Sequence, residues 1–507
     1  MNIKNIKTYI LSGILALSMS SCLDKYPEDS IRMDEAINTV GDMDKLVYGI
    51  YDSFKSSALY SGNLTILPDL QADFVYCVKG YSNAYGDIYR WKDIKATNTD
   101  IEAVYADLYG VINTANFLLD NVDKVKANTN SDKELDKLEQ YQGEAYFARA
   151  LAYSELIKCF CKAYDSDEQA EKELGVVLTE HYYGNEPQKR ATLKESYDFV
   201  LRDLDKAAEY LKVDEDFTGT LYDEIYFNEY ACHALRARVS LYMHRWDDAI
   251  KYASKVINSK YYVLASCTQK IGNTSYYQYQ WTAGKSTEGI WKVGFTVNSY
   301  GGALGTIFDN YNYVSYRPDY VPETWVINSF DANDLRAAAI FTTRTTGYEH
   351  GLQWPLLSKY FGDAEFLNNN ILHVHQPMVF RLSEQYLIRA EAYAMNGEYG
   401  KAGKDISTLR TARYSSYGGN TSMSDESSAM KIIEAERVKE LYMEGFRLND
   451  LKRWHKGFER KAADQPAANF VQSSLKVEKD DPLFVWPIPQ HELEAPGSEI
   501  QPNESNK

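Results

Sequence analysis

Apolar and small residues recur at three- and four-residue spacing through most of this chain, with polar residues filling the positions between. That period marks amphipathic helix. It is plain in "YQGEAYFARALAYSELIKCF" from Tyr141, and again from Leu193 to about Leu211. "NEYACHALRARVSLYMHRWDDAIKYASKVI" predicts two helices joined at a short turn around His244 to Trp246. "RLSEQYLIRAEAYAMNGEYGKAGKDISTLRTAR" repeats the design nearer the C-terminus, with Gly397 at the turn. Polar stretches near 121–134, 414–429 and 460–480 predict surface connections.

The two pairs share a grammar. Ala231, Ala234 and Ala237 are small enough to let a second helix approach closely. An aromatic follows each turn, Trp246 in one copy and Tyr399 in the other, and Ala249 and Ala402 stand three residues further on. Tetratricopeptide-like helix pairs are built this way, although the spacing here is too irregular for a regular array. The predicted fold class is therefore mostly α, with a helix-pair scaffold at about 40–260 and 380–460. Residues 261–380 break the helical pattern with glycine-aromatic sequence. Because helix pairs flank them on both sides, they are expected to form a loop-rich, aromatic-rich elaboration within one unit spanning 22–507.

The N-terminus reads differently. Lys4 and Lys7 precede an apolar stretch from Ile10 to Leu17, and the small residues Ser20 and Ser21 stand just before Cys22. This is the layout of a secretory signal over 1–21, too short to span a bilayer. A cysteine placed there resembles the lipid-attachment cysteine of a bacterial lipobox. Each buried methylene of an attached chain adds roughly 0.8 kcal/mol, so several acyl chains on Cys22 would anchor the protein firmly to a membrane.

Composition narrows the chemistry. Net charge is −17 with no basic block, which disfavours nucleic acid as a partner. Of six cysteines, five remain after Cys22, and an odd number argues against a disulfide framework. Cys159 and Cys161, two apart on a predicted helix, point to different sides and read as buried small hydrophobes. Tyrosine outnumbers phenylalanine 42 to 19, and tyrosine is favoured where one ring edge stays wet. Thirteen aromatics fall within 276–325, interleaved with Ser, Asn, Gln and Gly. Roughly half are expected in a core. The rest would suit a neutral glycan, whose C–H faces stack on rings and whose hydroxyls bond to amides. The candidates there are Tyr277, Trp281, Tyr300 and Tyr313. A second cluster, "YSNAYGDIYRWKD", adds Tyr81, Asn83, Tyr85 and Trp91. "GKST" from Gly284 lacks the upstream glycine of a phosphate loop, His373 and His375 have no evident third ligand, and no Gly-x-Ser-x-Gly elbow occurs. No catalytic residue, metal or cofactor is expected.

Three C-terminal stretches carry a family resemblance: "RLSEQYLIRAEAY" from Arg381, "ERVKELYMEGFRLNDLKRW" from Glu436 to Trp454, and "WPIPQHEL" from Trp486. Together with Cys22 and "LPDLQADF" from Leu67, they make the chain similar to the SusD/RagB family of outer-membrane nutrient-binding lipoproteins. The tail "IQPNESNK" departs from the family's usual ending. The resemblance implies a SusD-like fold, a lipid-anchored place at the outer membrane facing outward, and a non-catalytic role. It also implies oligosaccharide as ligand and a SusC-type TonB-dependent transporter as partner. Two alternatives stay open: a SusD-like importer of peptide or protein, and a surface glycoside hydrolase. In the middle motif, Glu436, Glu440 and Glu444 form one carboxylate stripe, with Arg437, Arg447 and Arg453 within reach for ion pairs. That arrangement reads as architecture rather than as a paired-carboxylate hydrolytic site.

Overall fold

The computed structural model describes residues 36–80, 82–92, 94–182, 188–214, 217–348, 351, 353–461 and 475–507. Cys22, the signal segment and Tyr81 lie outside the described residues.

Helices dominate, and the predicted pairs are present. They are α1 (Val40–Ser53), α2 (Asn63–Gln71), α3 (Thr99–Asn128), α4 (Asp132–Phe160), α5 (Leu193–Tyr210), α6 (Glu229–Tyr242) and α7 (Trp246–Ile257). After the elaboration, in which α8 (Tyr276–Thr282) is the helix of interest, come α9 (Leu382–Met395), α10 (Tyr399–Arg413), α11 (Glu426–Glu440) and α12 (Arg447–Arg453). Several of their starts are capped by side chains that satisfy otherwise orphaned N–H groups. Asn98 accepts from Asp100 and Ile101 at the start of α3, and Asn228 from Tyr230 and Ala231 at the start of α6. Thr192 and Glu195 form a reciprocal capping box on α5. The turns also match expectation, with His244 and Gly397 both at positive φ. One expectation fails. The polar stretch 121–134 is almost wholly helical, because α3 runs to Asn128 and α4 starts at Asp132. Its polarity belongs to the solvated faces of two long helices.

Each helix packs on the next in a continuous series from α3 through α7. The series then passes directly from α7 to α9, across the point where 261–380 leaves the scaffold. The small residues explain the close approach: Ala231, Ala234, Ala237, Ala249, Ala390 and Ala402 are all buried. The largest apolar cluster runs from Ile37 to Ile500 and includes residues from both sides of the elaboration. All five cysteines from Cys77 onward are buried, and none forms a disulfide among the described residues.

The elaboration is held by short antiparallel pairs. β1 (Val75–Cys77) pairs with β3 (Tyr320–Pro322), β2 (Gly289–Lys292) with β6 (Met378–Arg381), and β4 (Phe341–Thr345) with β5 (Gln353–Leu357). A second core lies beneath it, where Tyr277, Trp281, Phe308, Tyr320 and Tyr360 meet Leu70 and Phe74 from one side of the sequence and Tyr442 and Met443 from the other.

A buried charge cluster fixes this junction. Arg437, Arg447 and Arg453 do form ion pairs on this and adjoining elements, but not with the expected stripe, of which only Glu436 and Glu440 lie on α11 because the helix ends at Glu440 and leaves Glu444 beyond it. Glu440 instead receives Arg381 at 2.6 Å, Arg413 at 2.8 Å and Arg336 at 2.9 Å, while Glu436 receives Arg336 at 2.7 Å and Arg410 at 2.8 Å. The arginines nearest in sequence serve other joints. Arg437 pairs with Asp450 and Arg447 with Asp73, and Arg453 bridges Asp450 and Glu391. The geometry of the surrounding helices, rather than proximity in the motif, selects each partner.

Candidate functional site

The loop between the short helix Thr306–Asp309 and β3 presents aromatic rings outward, and the local sequence explains how. Asn310 ends the helix at positive φ. Asn312 then accepts from the backbone N–H of Val314 at 3.1 Å and of Ser315 at 2.9 Å, a side-chain turn that asparagine favours. The turn places Tyr313 at φ +67° and leaves it 57% exposed. Behind it, the Tyr311 N–H donates to Nε2 of His373 at 3.0 Å. Burial lowers the pKa of His373, so the ring is neutral at neutral pH and its Nε2 can accept. The Tyr311 ring lies nearly parallel to Tyr316, with centroids 4.5 Å apart, and meets Tyr313 and Phe361 at 5.8 Å each. Arg344, from β4, stands 5.1 Å over Tyr316. Beneath this ledge Asp309 is buried, and desolvation raises its pKa to about 8 against the pull of Arg344.

The pairing of β1 with β3 brings the early segment to the margin of this loop. The backbone N–H and the hydroxyl of Ser82 both donate to Asp319 at 2.8 Å, and the Tyr320 hydroxyl donates to the Ala84 carbonyl at 2.6 Å. Asn83 is exposed, its side-chain oxygen accepting from Arg90 at 2.9 Å. Tyr85 is half-buried against both apolar clusters. Trp91 is also half-buried. Its indole N–H donates to the Gln71 carbonyl at 2.5 Å, and its ring meets Phe458 and Phe484.

Backbone conformation marks the same two segments. Five of the twelve non-glycine residues with positive φ among the described residues lie there, Asn83, Tyr85, Trp91, Asn310 and Tyr313, and two more, Asn370 and His373, lie in the stretch that bonds to Tyr313 and Tyr311 from behind. Such conformations cost on the order of 1–3 kcal/mol each and concentrate at sites that clamp ligands. For Tyr and Trp, which gain nothing locally from the left-handed region, the cost is compensated elsewhere.

Other candidates fall outside this surface. Tyr277 and Trp281 are sealed in the second core, Trp281 only 2% exposed, and cannot touch a ligand there. The reason is α8, which lays both rings against the charge cluster: the Arg413 guanidinium sits 4.5 Å from the Tyr277 ring and the Lys359 ammonium 4.0 Å from Trp281. Tyr300 is 45% exposed but lines a different concave surface, with residues of α1 and α3. Conversely, Tyr316, Tyr311, Phe361 and Arg344 belong to the ledge and were not singled out as ligand contacts. "YNYVSY" carries a usable signal for the first two, with aromatics alternating among turn-forming residues. Nothing local marks Phe361 or Arg344.

The described residues hold no group of three or more His, Cys, Asp or Glu placed to bind a metal. His375 faces Asp363 at 2.5 Å in the interior, and His373 supports Tyr311. The α11 carboxylates are committed too. Burial alone would raise the Glu440 pKa, but Arg413 and Arg381 outweigh it and hold it well below the usual range. Glu436 is likewise brought to about 2, by Arg336 and Lys439 against burial.

A helix-pair scaffold carrying an inserted aromatic lobe defines the class of protein. Two family models match the chain, one described as the SusD family over residues 268–503, the other as "Starch-binding associating with outer membrane" over 22–241. The chain belongs to the SusD/RagB family. It is 21% identical to SusD-like protein P25 of Formosa agariphila across 90% of each chain. A SusD superfamily protein from Bacteroides thetaiotaomicron superposes with a TM-score of 0.76 at 24% identity, over 92% of this chain and 99% of that one. A SusD-like carbohydrate binding protein from Bacteroides vulgatus gives 0.73 at 19%, over 90% and 97%. These likenesses establish the fold.

Proposed function

We propose that this protein is a non-catalytic glycan-binding lipoprotein, held at the outer membrane through Cys22, that captures neutral oligosaccharide for a SusC-type TonB-dependent transporter. The observation that carries the reading is the ledge of Tyr311, Tyr313, Tyr316 and Phe361, with left-handed backbone concentrated there and in the adjoining 83–91 segment. The rings offer faces to sugar C–H groups, while Asn83, Asn312, Asn370 and Arg344 are placed to bond hydroxyls. The family model described as starch-binding and the carbohydrate-binding neighbour support this ligand class. Capture needs no acid–base pair, and the family's partner would take the sugar onward.

The test is calorimetric titration of the detergent-solubilised full chain with maltohexaose, laminarihexaose and a tryptic peptide mixture. Binding of at least one oligosaccharide, weakened about tenfold or more by Tyr311→Ala with Tyr313→Asn, is expected. Heat from peptides alone overturns the ligand class, and shorter sugars after incubation overturn the non-catalytic role. Cys22→Ala is expected to move the protein from the membrane to the soluble fraction.

A further inference from the structure

A second concave surface lies away from the ledge. Two cavities of about 810 and 480 Å³ share Asp52 and Lys55 in their walls and so adjoin at these side chains, the two halves of one groove. Both volumes fit the roughly 300–1,000 Å³ usual for ligand sites. Tyr300 lines the first cavity and Tyr48 and Tyr226 the second, each ring about half exposed, at 45%, 58% and 49%. The rings are supported from behind. Tyr226 meets Tyr51 edge-on with centroids 5.5 Å apart, and Tyr300 rests on Phe366 at 6.0 Å. Between them, Lys55 is fixed by Ser299 at 2.8 Å and Asp52 at 3.1 Å, and Asp107 accepts from Ser56.

The helix floor makes the stronger case. Gly49 lies within α1 and lines the second cavity; Gly110 lies within α3 and lines the first. A Cβ at either position would meet no atom within 4 Å, and neither glycine has positive φ. Glycine inside a helix costs stability relative to alanine. Here neither packing nor backbone geometry requires it, unlike Gly143, where a Cβ would lie 2.7 Å from Tyr210. What the two glycines do provide is a bare floor beneath the exposed tyrosines.

We infer that this groove is a second glycan subsite, taking a stretch of neutral oligosaccharide with rings from Tyr300 at one end and Tyr48 and Tyr226 at the other. The inference rests on the reading that the protein binds neutral glycan. The groove's charged groups are two carboxylates and one ammonium already paired with Asp52, set among serine and threonine hydroxyls, which suits hydroxyls and disfavours anionic ligands. Trp291 of β2 is the one strand residue that lines it, and both edges of β2 are taken, one by β6 and the other by the backbone of Asp223 and Glu224, so an extended peptide would find no free sheet edge to join. Two subsites on one rigid body would raise avidity for a polymer without tight binding at either.

The experiment titrates the full chain with maltohexaose and laminarihexaose, comparing wild type, a groove-filling pair (Gly49→Trp with Gly110→Trp), a groove-ring pair (Tyr226→Ala with Tyr300→Ala) and the ledge pair (Tyr311→Ala with Tyr313→Asn). Wild type is expected to bind two oligosaccharides per chain, and the groove-filling and ledge pairs one each. The groove-ring pair is expected to weaken one site about tenfold or more. Melting temperatures check folding, and the filled glycines are expected to melt no lower than wild type. Unchanged stoichiometry and affinity in both groove variants overturns the subsite while leaving the ledge reading intact. Loss of a single wild-type site in the groove variants alone supports the subsite and overturns the ledge. No binding of either sugar by wild type overturns both.

Discussion

Trp281 and Tyr313 come from the same aromatic stretch and have the same capacity to stack on a sugar, yet one is sealed and the other stands in solvent. Sequence composition could count the rings but not sort them, because a ring serves a core and a binding surface by the same chemistry. What separates them is the neighbouring backbone. Ser275 caps α8 and starts a helix whose aromatic face turns inward, whereas Asn312 makes a turn that throws Tyr313 outward. Their substitutions are expected to diverge accordingly. Trp281→Ala should cost about 3–5 kcal/mol of stability, as for large core aromatics, measured by urea unfolding of the full chain. Tyr313→Asn should leave stability unchanged or raise it by up to about 1 kcal/mol, since asparagine relieves the left-handed strain at an exposed position, while weakening oligosaccharide binding. A large stability loss with unchanged binding for Tyr313→Asn would place that ring in the architecture and not in the site.

Among the elements, the helix pairs were legible because their apolar period, small-residue faces and turn residues agree. Gly397 shows how direct this can be: it sits at φ +74° with open space around it. Gly397→Ala is expected to cost about 1 kcal/mol through backbone strain alone, read as a shift in unfolding midpoint. The groove was not legible, since its parts come from α1, α3 and two distant loops. One local signal existed, an aromatic at Tyr48 on the polar side of an amphipathic helix. A link between elements that sequence could not reveal is His455. Its two ring nitrogens face Asp480 at 2.6 Å and Asp165 at 2.8 Å, an arrangement that needs a proton on each nitrogen. Partial burial opposes protonation, but the two carboxylates prevail and raise its pKa. The group therefore stabilises fully below its unfolded value of about 6.5, and that contribution is lost as pH rises through the folded value. Amide exchange protection in 475–482, corrected for intrinsic rates, is expected to fall as pH increases from 6 to 9. His455→Gln should abolish the change; a pH response surviving that substitution would assign it to another group.

For the whole molecule, the decisive question is whether the elaboration and the scaffold fold together, and the buried charge cluster bears on it directly. Arg336 belongs to the elaboration, Arg381 to the junction of β6 and α9, Arg413 to the end of α10, and Glu436 and Glu440 to α11. Removing one member leaves uncompensated charge in the interior, which typically costs 3–5 kcal/mol, about the expected loss for Arg381→Met. Acid acts on the same joint. With the Glu436 carboxyl held at about 2 against an ordinary 4.5, and Glu440 also well below, their stabilising contribution is present above about pH 4.5 and disappears as pH falls toward 2. Protonation would thus release the elaboration from α11 and, at the same moment, uncouple α9 from α10 and α11, since Arg381 and Arg413 share Glu440 and Glu288. Hydrogen exchange followed peptide by peptide between pH 5 and 2 is expected to show 276–345 and 382–440 losing protection together. Loss of protection in 276–345 at a distinctly higher pH would show that the elaboration opens as its own unit, and that the arginines join two bodies instead of forming the centre of one.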